Sequence, residues 1–227
     1  MASISFSKIL RTETDAIWHK ILNHPFVEGI GSGKLDSDRY GFYLKQDYLY
    51  LIEFSRVLAI ASAKAITYNE MGYFAYLLNL TLNTEMELHR RTCDSLGITA
   101  QKLQETEPAL ITTAYTNFMI KTCYEGTITE ILTVLLPCAV GYVEIATHLK
   151  AKGLPNNTYY KDWIETYSSK DFVEYSEWLG SKLDHFGDRA REDEIRFWKN
   201  LYHSSCRFEL LFFEMSWNRE LWPDVSI

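Results

Sequence analysis

Residues 135–142 read Leu135-Leu136-Pro137-Cys138-Ala139-Val140-Gly141-Tyr142, a proline and a thiol within an apolar helical pattern. A proline inside a helix removes one backbone donor and presses on the carbonyl four residues back, at about 3 kcal/mol or more. Such a break bends the helix and frees backbone groups. It can therefore aim the Cys138 side chain and place the thiol near amides that favour the thiolate. The alternative is inert packing, which is common for buried cysteines.

The rest of the sequence has helical periodicity from end to end and almost no strict alternation of apolar and polar residues. This pattern predicts an all-α, single-domain, multi-helix bundle over residues 1–227. Asp36 or Ser37 and Thr99 are expected to cap helices, and Gly97 to end one. Residues 29–33, Gly-Ile-Gly-Ser-Gly, are expected to form a loop. The predicted helices cover about 6–22, 36–66, 71–96, 108–124, 127–153, 159–167, 170–186 and 188–218.

Composition excludes several functional classes. A net charge of −7 with no cluster of Lys and Arg argues against nucleic-acid binding. No apolar run reaches the length of a membrane span, and the first residues lack the pattern of a signal peptide. We therefore expect an intracellular, cytoplasmic protein without membrane contact. Four widely spaced cysteines are expected to be thiols and give no support for a zinc site.

A carboxylate and a phenol share one face of the predicted second helix. Asp47 precedes Tyr50 by three residues and lies between Leu44 and Leu51 in an apolar stripe. A buried carboxylate there is costly unless it is paired or hydrogen-bonded. The partner is either a ligand or neighbouring tyrosines in the core.

Two further positions have a pattern that suits catalysis. Tyr142 follows Cys138 by one helical turn, which repeats the pairing of a reactive group with a phenol. Glu209 lies in an aromatic and aliphatic segment, where desolvation would favour a proton-donating carboxylic acid. The alternative is that Glu209 faces solvent, as Glu214 is expected to do.

Two carboxylate and imidazole pairs are candidates for metal ligands. Glu85 with His89, and Glu144 with His148, are each spaced by four residues. Neither has the Glu-x-x-His spacing of di-iron bundles or the His-Glu-x-x-His motif. Both are interpreted as surface pairs or as residues that support a site from behind.

Together these residues resemble the TenA family, known as thiaminase II or aminopyrimidine aminohydrolase. The resemblance spans nearly the whole chain. The segments that carry it are His24–Ile30, Lys45–Tyr48, Glu85–His89, Leu135–Cys138 and Glu209–Met215.

The resemblance implies a heme-oxygenase-like fold and, commonly, a homotetramer. It implies hydrolysis of 4-amino-2-methylpyrimidines at the 5-methylene, without metal or organic cofactor. Cys138 would be the nucleophile, Glu209 the proton donor and Tyr50 the group that activates the thiol. Asp47 would hold the aminopyrimidine. The rings that would line or stack on the substrate belong to Tyr115, Tyr142, Tyr167 and Phe212.

The presence of Cys138 matches the cysteine-containing branch of that family. Cys206-Arg207 departs from its usual pattern and bears on substrate preference, which is open between thiamin and aminomethylpyrimidine. Two other functions remain alternatives. The pocket could bind an aminopyrimidine without turnover, or the fold could support heme chemistry. Heme chemistry needs a coordinating histidine, and neither His24, which adjoins Pro25, nor His89, which has no spaced partner, suits that role. Aromatic residues expected to be exposed, and so able to form an oligomer interface, are Tyr73, Phe74 and Tyr76.

Overall fold

The computed structural model describes residues 4–224, apart from the side chain of Leu88. Every regular element in this part of the chain is helical, which confirms the all-α prediction. A π-helical turn, Thr81–Glu85, separates α5 from α6. The α-helices are α1 Phe6–Glu13, α2 Asp15–Leu22, α3 Pro25–Ser32, α4 Ser37–Lys64, α5 Tyr68–Leu80, α6 Met86–Ser95, α7 Ala100–Gln104, α8 Leu110–Glu125, α9 Ile128–Ala151, α10 Thr158–Tyr167, α11 Lys170–Gly187 and α12 Glu192–Asn218.

The described residues group into two compact units. The first unit combines residues 4–35 with residues 129–213, and so contains α1 to α3, nearly all of α9, α10, α11 and most of α12. The second unit combines residues 36–128 with residues 214–224, and contains α4 to α8 with the end of α12. That the chain is a single domain stays a prediction.

The first predicted helix is two helices that meet at Thr14. Thr14 has φ −102° and ψ 9°, outside helical values, and its Oγ1 donates to the carbonyl of Leu10 at 2.9 Å. A threonine that bonds back to the carbonyl four residues earlier competes with the helical pattern and bends the chain. The prediction of one continuous helix over residues 6–22 was therefore wrong.

Residues 29–33 do not form the predicted loop, because α3 continues to Ser32. Pro25 begins this helix and buried His24 caps it. A Cβ on Gly31 would lie 2.6 Å from Leu149 Cδ2, so this glycine allows close packing rather than a turn. Gly33 alone in this stretch has a left-handed φ, 72°, and ends the helix.

Several predicted helix ends are confirmed. The Asp36 carboxylate accepts from the amides of Asp38 and Arg39 and caps α4. Thr99 caps α7, and Gly97 has a φ of 75° after α6.

The predicted third helix is interrupted by the π-helical turn, which was not foreseen. Its buried positions are spaced by three and four residues, except for one step of five from Thr81 to Met86 that the π turn absorbs. Phe74, expected at the surface, is 1% exposed and belongs to the core, whereas Tyr76 is exposed. The buried positions along α5, the π turn and α6 are Phe74, Leu77, Thr81, Met86, His89 and Cys93.

Helix α9 is long and apolar enough to cross a membrane by composition alone, contrary to the sequence-based expectation. In its most apolar 18-residue window, however, 72% of the helix is buried inside the protein. That burial is typical of the core helix of a folded domain. Pro137 lies inside this helix, as predicted.

Candidate active site

A hydrogen bond joins α9 and α12 within the first unit. Ser205 Oγ on α12 donates to the carbonyl oxygen of Val134 on α9 at 2.8 Å. Earlier on both helices, Trp198 Nε1 donates to Glu130 Oε1 at 2.6 Å. Because both contacts advance toward the C-terminus together, the two helices run in the same direction.

The position of the Ser205–Val134 bond along the two helices indicates where the two residues expected to be catalytic lie. Cys138 follows Val134, and Glu209 follows Ser205, by four residues, which is one helical turn on the same face. Cys138 on α9 and Glu209 on α12 therefore each follow the Ser205–Val134 bond by about one turn, roughly 6 Å along the helix axis.

The burial of the two groups differs in a way that suits their expected roles. The Cys138 thiol is half-buried, so a ligand can reach it. Glu209 is 4% exposed, whereas Glu214 on the same helix is exposed. The alternative that Glu209 faces solvent is therefore wrong.

An aromatic cluster surrounds Tyr142, one turn after Cys138. Tyr142 lies 4.7 Å from Tyr167 and 5.5 Å from Trp163, measured between ring centroids. The Phe213 ring is 6.3 Å from Tyr142, and Phe212 beside it is buried. The structure thus brings together two expected substrate-binding tyrosines. Sequence reasoning missed Trp163 and Phe213, although Trp163 precedes Tyr167 by one helical turn.

Pro137 has a structural consequence that can be read from the same helices. A proline removes an amide donor, so the group it frees is a carbonyl one turn earlier. Next to that position, the Val134 carbonyl accepts the bond from Ser205. Helix α9 is continuous through Pro137, and its attachment to α12 lies next to the carbonyl that the proline frees. That Pro137 also lowers the pKa of the Cys138 thiol stays a prediction.

Close packing behind the thiol depends on Gly141. A Cβ at this position would lie 2.3 Å from the ring of Trp18, which is itself 1% exposed. Burial raises the pKa of the nearby Cys206 thiol to about 12, although contacts with Thr14 and Trp18 act in the opposite direction. Cys206 is therefore an inert core thiol, and its neighbour Arg207 is exposed.

In the second unit, Asp47 and Tyr50 lie on the buried face of α4. They are each 6% exposed. The Tyr50 ring is 5.3 Å from that of Tyr115, and its hydroxyl donates to Met119 Sδ at 3.7 Å. The structure thus places Tyr115 on α8 against the helix that carries Asp47 and Tyr50.

Gln46 fixes α8 against α4 at this point. Its Oε1 accepts from the Ala109 amide at 2.9 Å and from Thr112 Oγ1 at 2.7 Å, while its Nε2 donates to the Glu107 carbonyl at 3.1 Å. The amide is 1% exposed, and these bonds satisfy most of its donors and acceptors. Tyr115 follows Thr112 by three residues, so the Gln46 bonds also set its position beside Tyr50.

His89 is buried, which excludes the surface alternative and agrees with the alternative that it supports a site from behind. It is 8% exposed, with Nε2 3.5 Å from Asp47 Oδ2 and Nδ1 3.6 Å from Cys93 Sγ. The contact with Asp47 is an ion pair rather than an aligned hydrogen bond. Burial opposes the charge, but Asp47 and Cys93 outweigh it and raise the pKa of His89 to about 10. The spacing of Met86, His89 and Cys93 was a signal that these residues share a buried helix face.

The candidate metal pairs have other partners. Arg11 donates to both carboxylate oxygens of Glu144, at 2.7 and 2.8 Å. His24, considered for heme chemistry, accepts the amide of Phe26 at its Nδ1 and caps α3. Within residues 4–224, no three His, Cys, Asp or Glu side chains are grouped to hold a metal ion.

The second unit also contains an open cavity that is separate from the candidate residues. It has a volume of about 880 Å³, and none of the expected site residues lines it. Charges of both signs border it, including Lys45, Lys102, Glu105 and Arg219. A mixed lining of this kind indicates no particular ligand.

The described part of the chain is all-helical, with a buried carboxylate on α12 and a half-buried thiol on the parallel helix α9. Its backbone is similar to a solved domain with a heme oxygenase-like fold from Shewanella denitrificans, at a TM-score of 0.71 and 14% identity. The TENA/THI-4/PQQC family model matches residues 11–219, and the chain belongs to this family.

Individual relatives cover nearly the whole chain. An aminopyrimidine aminohydrolase from Halalkalibacterium halodurans is 36% identical over 96% of this chain and 98% of its own length. Another from Helicobacter pylori is 34% identical over 93% and 98%. A TenA homologue from P. horikoshii OT3 has a TM-score of 0.87 and 32% identity, covering 95% of this chain and 99% of its own.

Proposed function

We propose that this chain is an aminopyrimidine aminohydrolase that releases 4-amino-5-hydroxymethyl-2-methylpyrimidine from aminomethylpyrimidine. Relatives at 36% and 34% identity have the name of this activity, and the likeness spans nearly their full length. The observation that carries the chemistry is the Ser205–Val134 bond, which sets a half-buried thiol and a buried carboxylate at one level of two helices.

In the proposed reaction, Cys138 supplies the nucleophile and Glu209 moves the proton. The thiolate adds to C6 of the pyrimidine, and the displaced electron pair goes to N1, which takes a proton from Glu209. The 4-amino nitrogen then pushes electrons through the ring, and the protonated 5-aminomethyl group leaves as ammonia.

Hydrolysis restores the enzyme. Water adds to the exocyclic methylene and gives a proton to the Glu209 carboxylate. The bond between sulfur and C6 then breaks, which regenerates the thiolate and the aromatic ring. N1 releases its proton, which ammonia takes up as ammonium, so each step is balanced without an oxidant or a metal.

Recognition is assigned to the remaining residues. Asp47 accepts from the 4-amino group, and its negative charge stabilises that group while it becomes positive in the step that expels ammonia. The rings of Tyr142 and Tyr167 offer a surface on which a flat heterocycle stacks. Tyr115 and Phe212 are proposed to line the substrate, and Tyr50 to assist in activating the thiol.

A substrate panel tests this proposal. Purified protein is incubated separately with aminomethylpyrimidine, its formyl derivative and thiamin, and the hydroxymethyl product is quantified by chromatography. The proposal expects turnover of aminomethylpyrimidine at least, and the ratio to thiamin gives the substrate preference. Tight binding with every compound unchanged by mass spectrometry would instead indicate a non-catalytic aminopyrimidine-binding protein.

Assembly and location are also proposed rather than observed. A homotetramer in the cytoplasm is consistent with the exposed apolar side chains of α5, where Tyr68 is 86%, Met71 44% and Tyr76 54% exposed. Light scattering coupled to size exclusion measures the assembly. A mass of one chain, 26.5 kDa, would contradict it.

A further inference from the structure

A buried imidazole lies behind the carboxylate that is proposed to read the substrate. His89 Nε2 is 3.5 Å from Asp47 Oδ2, and both side chains are below 10% exposed. On the other side of the ring, Nδ1 is 3.6 Å from Cys93 Sγ. The imidazole is thus held between an anion on α4 and a sulfur on its own helix.

The π-helical turn gives His89 this direction. With regular α-helical spacing after Phe74, Leu77 and Thr81, the buried face would continue through residues 84 or 85 and 88. The extra residue in Thr81–Glu85 moves that face to Met86, His89 and Cys93. Single π turns of this kind often occur at functional sites.

The surroundings favour a charged imidazole at neutral pH. Asp47 and Tyr48 approach from α4, with the Tyr48 ring 6.2 Å away, and Cys93 approaches from α6. In the π turn, Glu85 is half-buried one turn earlier. Asp47 and Cys93 are the groups that raise the pKa of His89, so the ring is an imidazolium facing a carboxylate.

A buried ion pair is weak evidence of stabilisation, because the loss of hydration offsets much of the attraction. A pair at a binding residue has a different use. The ion pair employs Oδ2 of Asp47, and a carboxylate has a second oxygen that can accept from a substrate. An adjacent cation attracts that carboxylate and fixes its plane.

We infer that His89 is a positioning residue that holds the Asp47 carboxylate oriented toward the amino group of the pyrimidine. This inference rests on the proposed function, since it assigns Asp47 to that group. His89 acts through Asp47 and does not itself touch the substrate.

A double-mutant cycle tests the inference. Full-length wild type, His89→Gln, Asp47→Asn and the double variant are compared for kcat/KM with aminomethylpyrimidine. His89→Gln is expected to lower kcat/KM by about tenfold to a hundredfold, the effect of losing one charge-assisted contact. In the Asp47→Asn background, the same change is expected to have no further effect beyond about twofold.

The pH profile separates positioning from a structural role. The imidazolium loses its charge as pH rises through the pKa of His89, about 10, so an alkaline limb of kcat/KM near that pH should be present in wild type and absent from His89→Gln. His148→Gln, a half-buried histidine on α9, is the matched control and should leave the limb in place. His89→Lys, which supplies a cation, should restore the limb.

The possible outcomes distinguish failure of the proposed function from failure of the inference about His89. If wild type turns over no compound of the panel, the proposed function fails. If wild type is active but the effects of His89→Gln and Asp47→Asn multiply independently, or the alkaline limb is the same in wild type and His89→Gln, the inference about His89 is overturned. Should His89→Gln fail to fold by circular dichroism, His89→Asn and His89→Lys carry the same comparison.

Discussion

Ser205 Oγ donates a 2.8 Å hydrogen bond to the carbonyl of Val134, one helical turn before Glu209 and Cys138. Both helices run in the same direction, so the acid and the thiol each follow this bond by one turn, at a similar level of α12 and α9. The position of the two groups matters, because a displacement of about 1 Å in a catalytic group can lower the rate about a hundredfold.

Ser205→Ala should therefore reduce both stability and rate. Loss of one buried hydrogen bond is expected to lower the free energy of unfolding by about 1 kcal/mol, and kcat by about tenfold as Glu209 shifts. Ser204→Ala is the matched control, because Ser204 Oγ bonds the Asn200 carbonyl within its own helix. Denaturant unfolding and steady-state assays measure both effects. If Ser205→Ala and Ser204→Ala lose stability and kcat equally, the Ser205 bond does not position Glu209.

Alkylation should distinguish Cys138 from the other thiols. Burial raises the pKa of Cys123 and Cys206 to about 12, and Cys93 is also buried. At pH 8, iodoacetamide should modify Cys138 first, with one label per chain and parallel loss of activity. Peptide mass mapping locates the label, and Cys138→Ser provides the unlabelled control. First labelling at Cys206 would be inconsistent with the burial described.

Gly141 should be intolerant of a larger side chain. Ala at this position forces its Cβ against Trp18, so Gly141→Ala is expected to lower the free energy of unfolding by about 1–3 kcal/mol. Gly72→Ala is the control, since nothing lies within 4 Å of a Cβ there and an exposed helical alanine stabilises by about 0.5–1 kcal/mol. In denaturant unfolding, the free energy of unfolding should fall in Gly141→Ala and rise in Gly72→Ala. If Gly141→Ala leaves the free energy of unfolding unchanged, α2 moves enough to accommodate the added methyl group.

The pair of His89 and Asp47 should make stability depend on pH in a known direction. The pKa of His89 rises from 6.5 to about 10 on folding. A raised pKa means that the folded state holds the proton more tightly, so the contribution is complete below pH 6.5 and is lost as pH rises toward 10. The stability difference between wild type and His89→Gln should accordingly shrink from pH 6 to pH 10.5. A constant difference would contradict the ion pair.

Much of the fold could be predicted from sequence, since caps and apolar periodicity are local signals. Asp36, Thr99 and Gly97 end or begin helices where their chemistry requires it. The glycines of residues 29–33 misled the prediction, because Gly31 is present for contact with Leu149 and not for a turn. Packing against a distant residue leaves no local trace in the sequence.

The sequence also singled out residues of the candidate site, whose roles stay predictions. Asp47, Cys138 and Glu209 stood out as polar groups on apolar helix faces. The contact between His89 and Asp47 was not predicted, because it depends on a π turn whose five residues resemble those of an ordinary helix. A one-residue change in register, invisible to regular spacing, decides whether that ring faces solvent or α4.

The central claim is that Cys138 attacks the pyrimidine with Glu209 as its acid. The most direct measurement is the initial rate of ammonia release from aminomethylpyrimidine by wild type, Cys138→Ser, Glu209→Gln and Glu214→Gln. We predict no detectable release by Cys138→Ser, a loss of about a hundredfold or more in Glu209→Gln, and a wild-type rate in Glu214→Gln. Full turnover by Cys138→Ser would contradict the account.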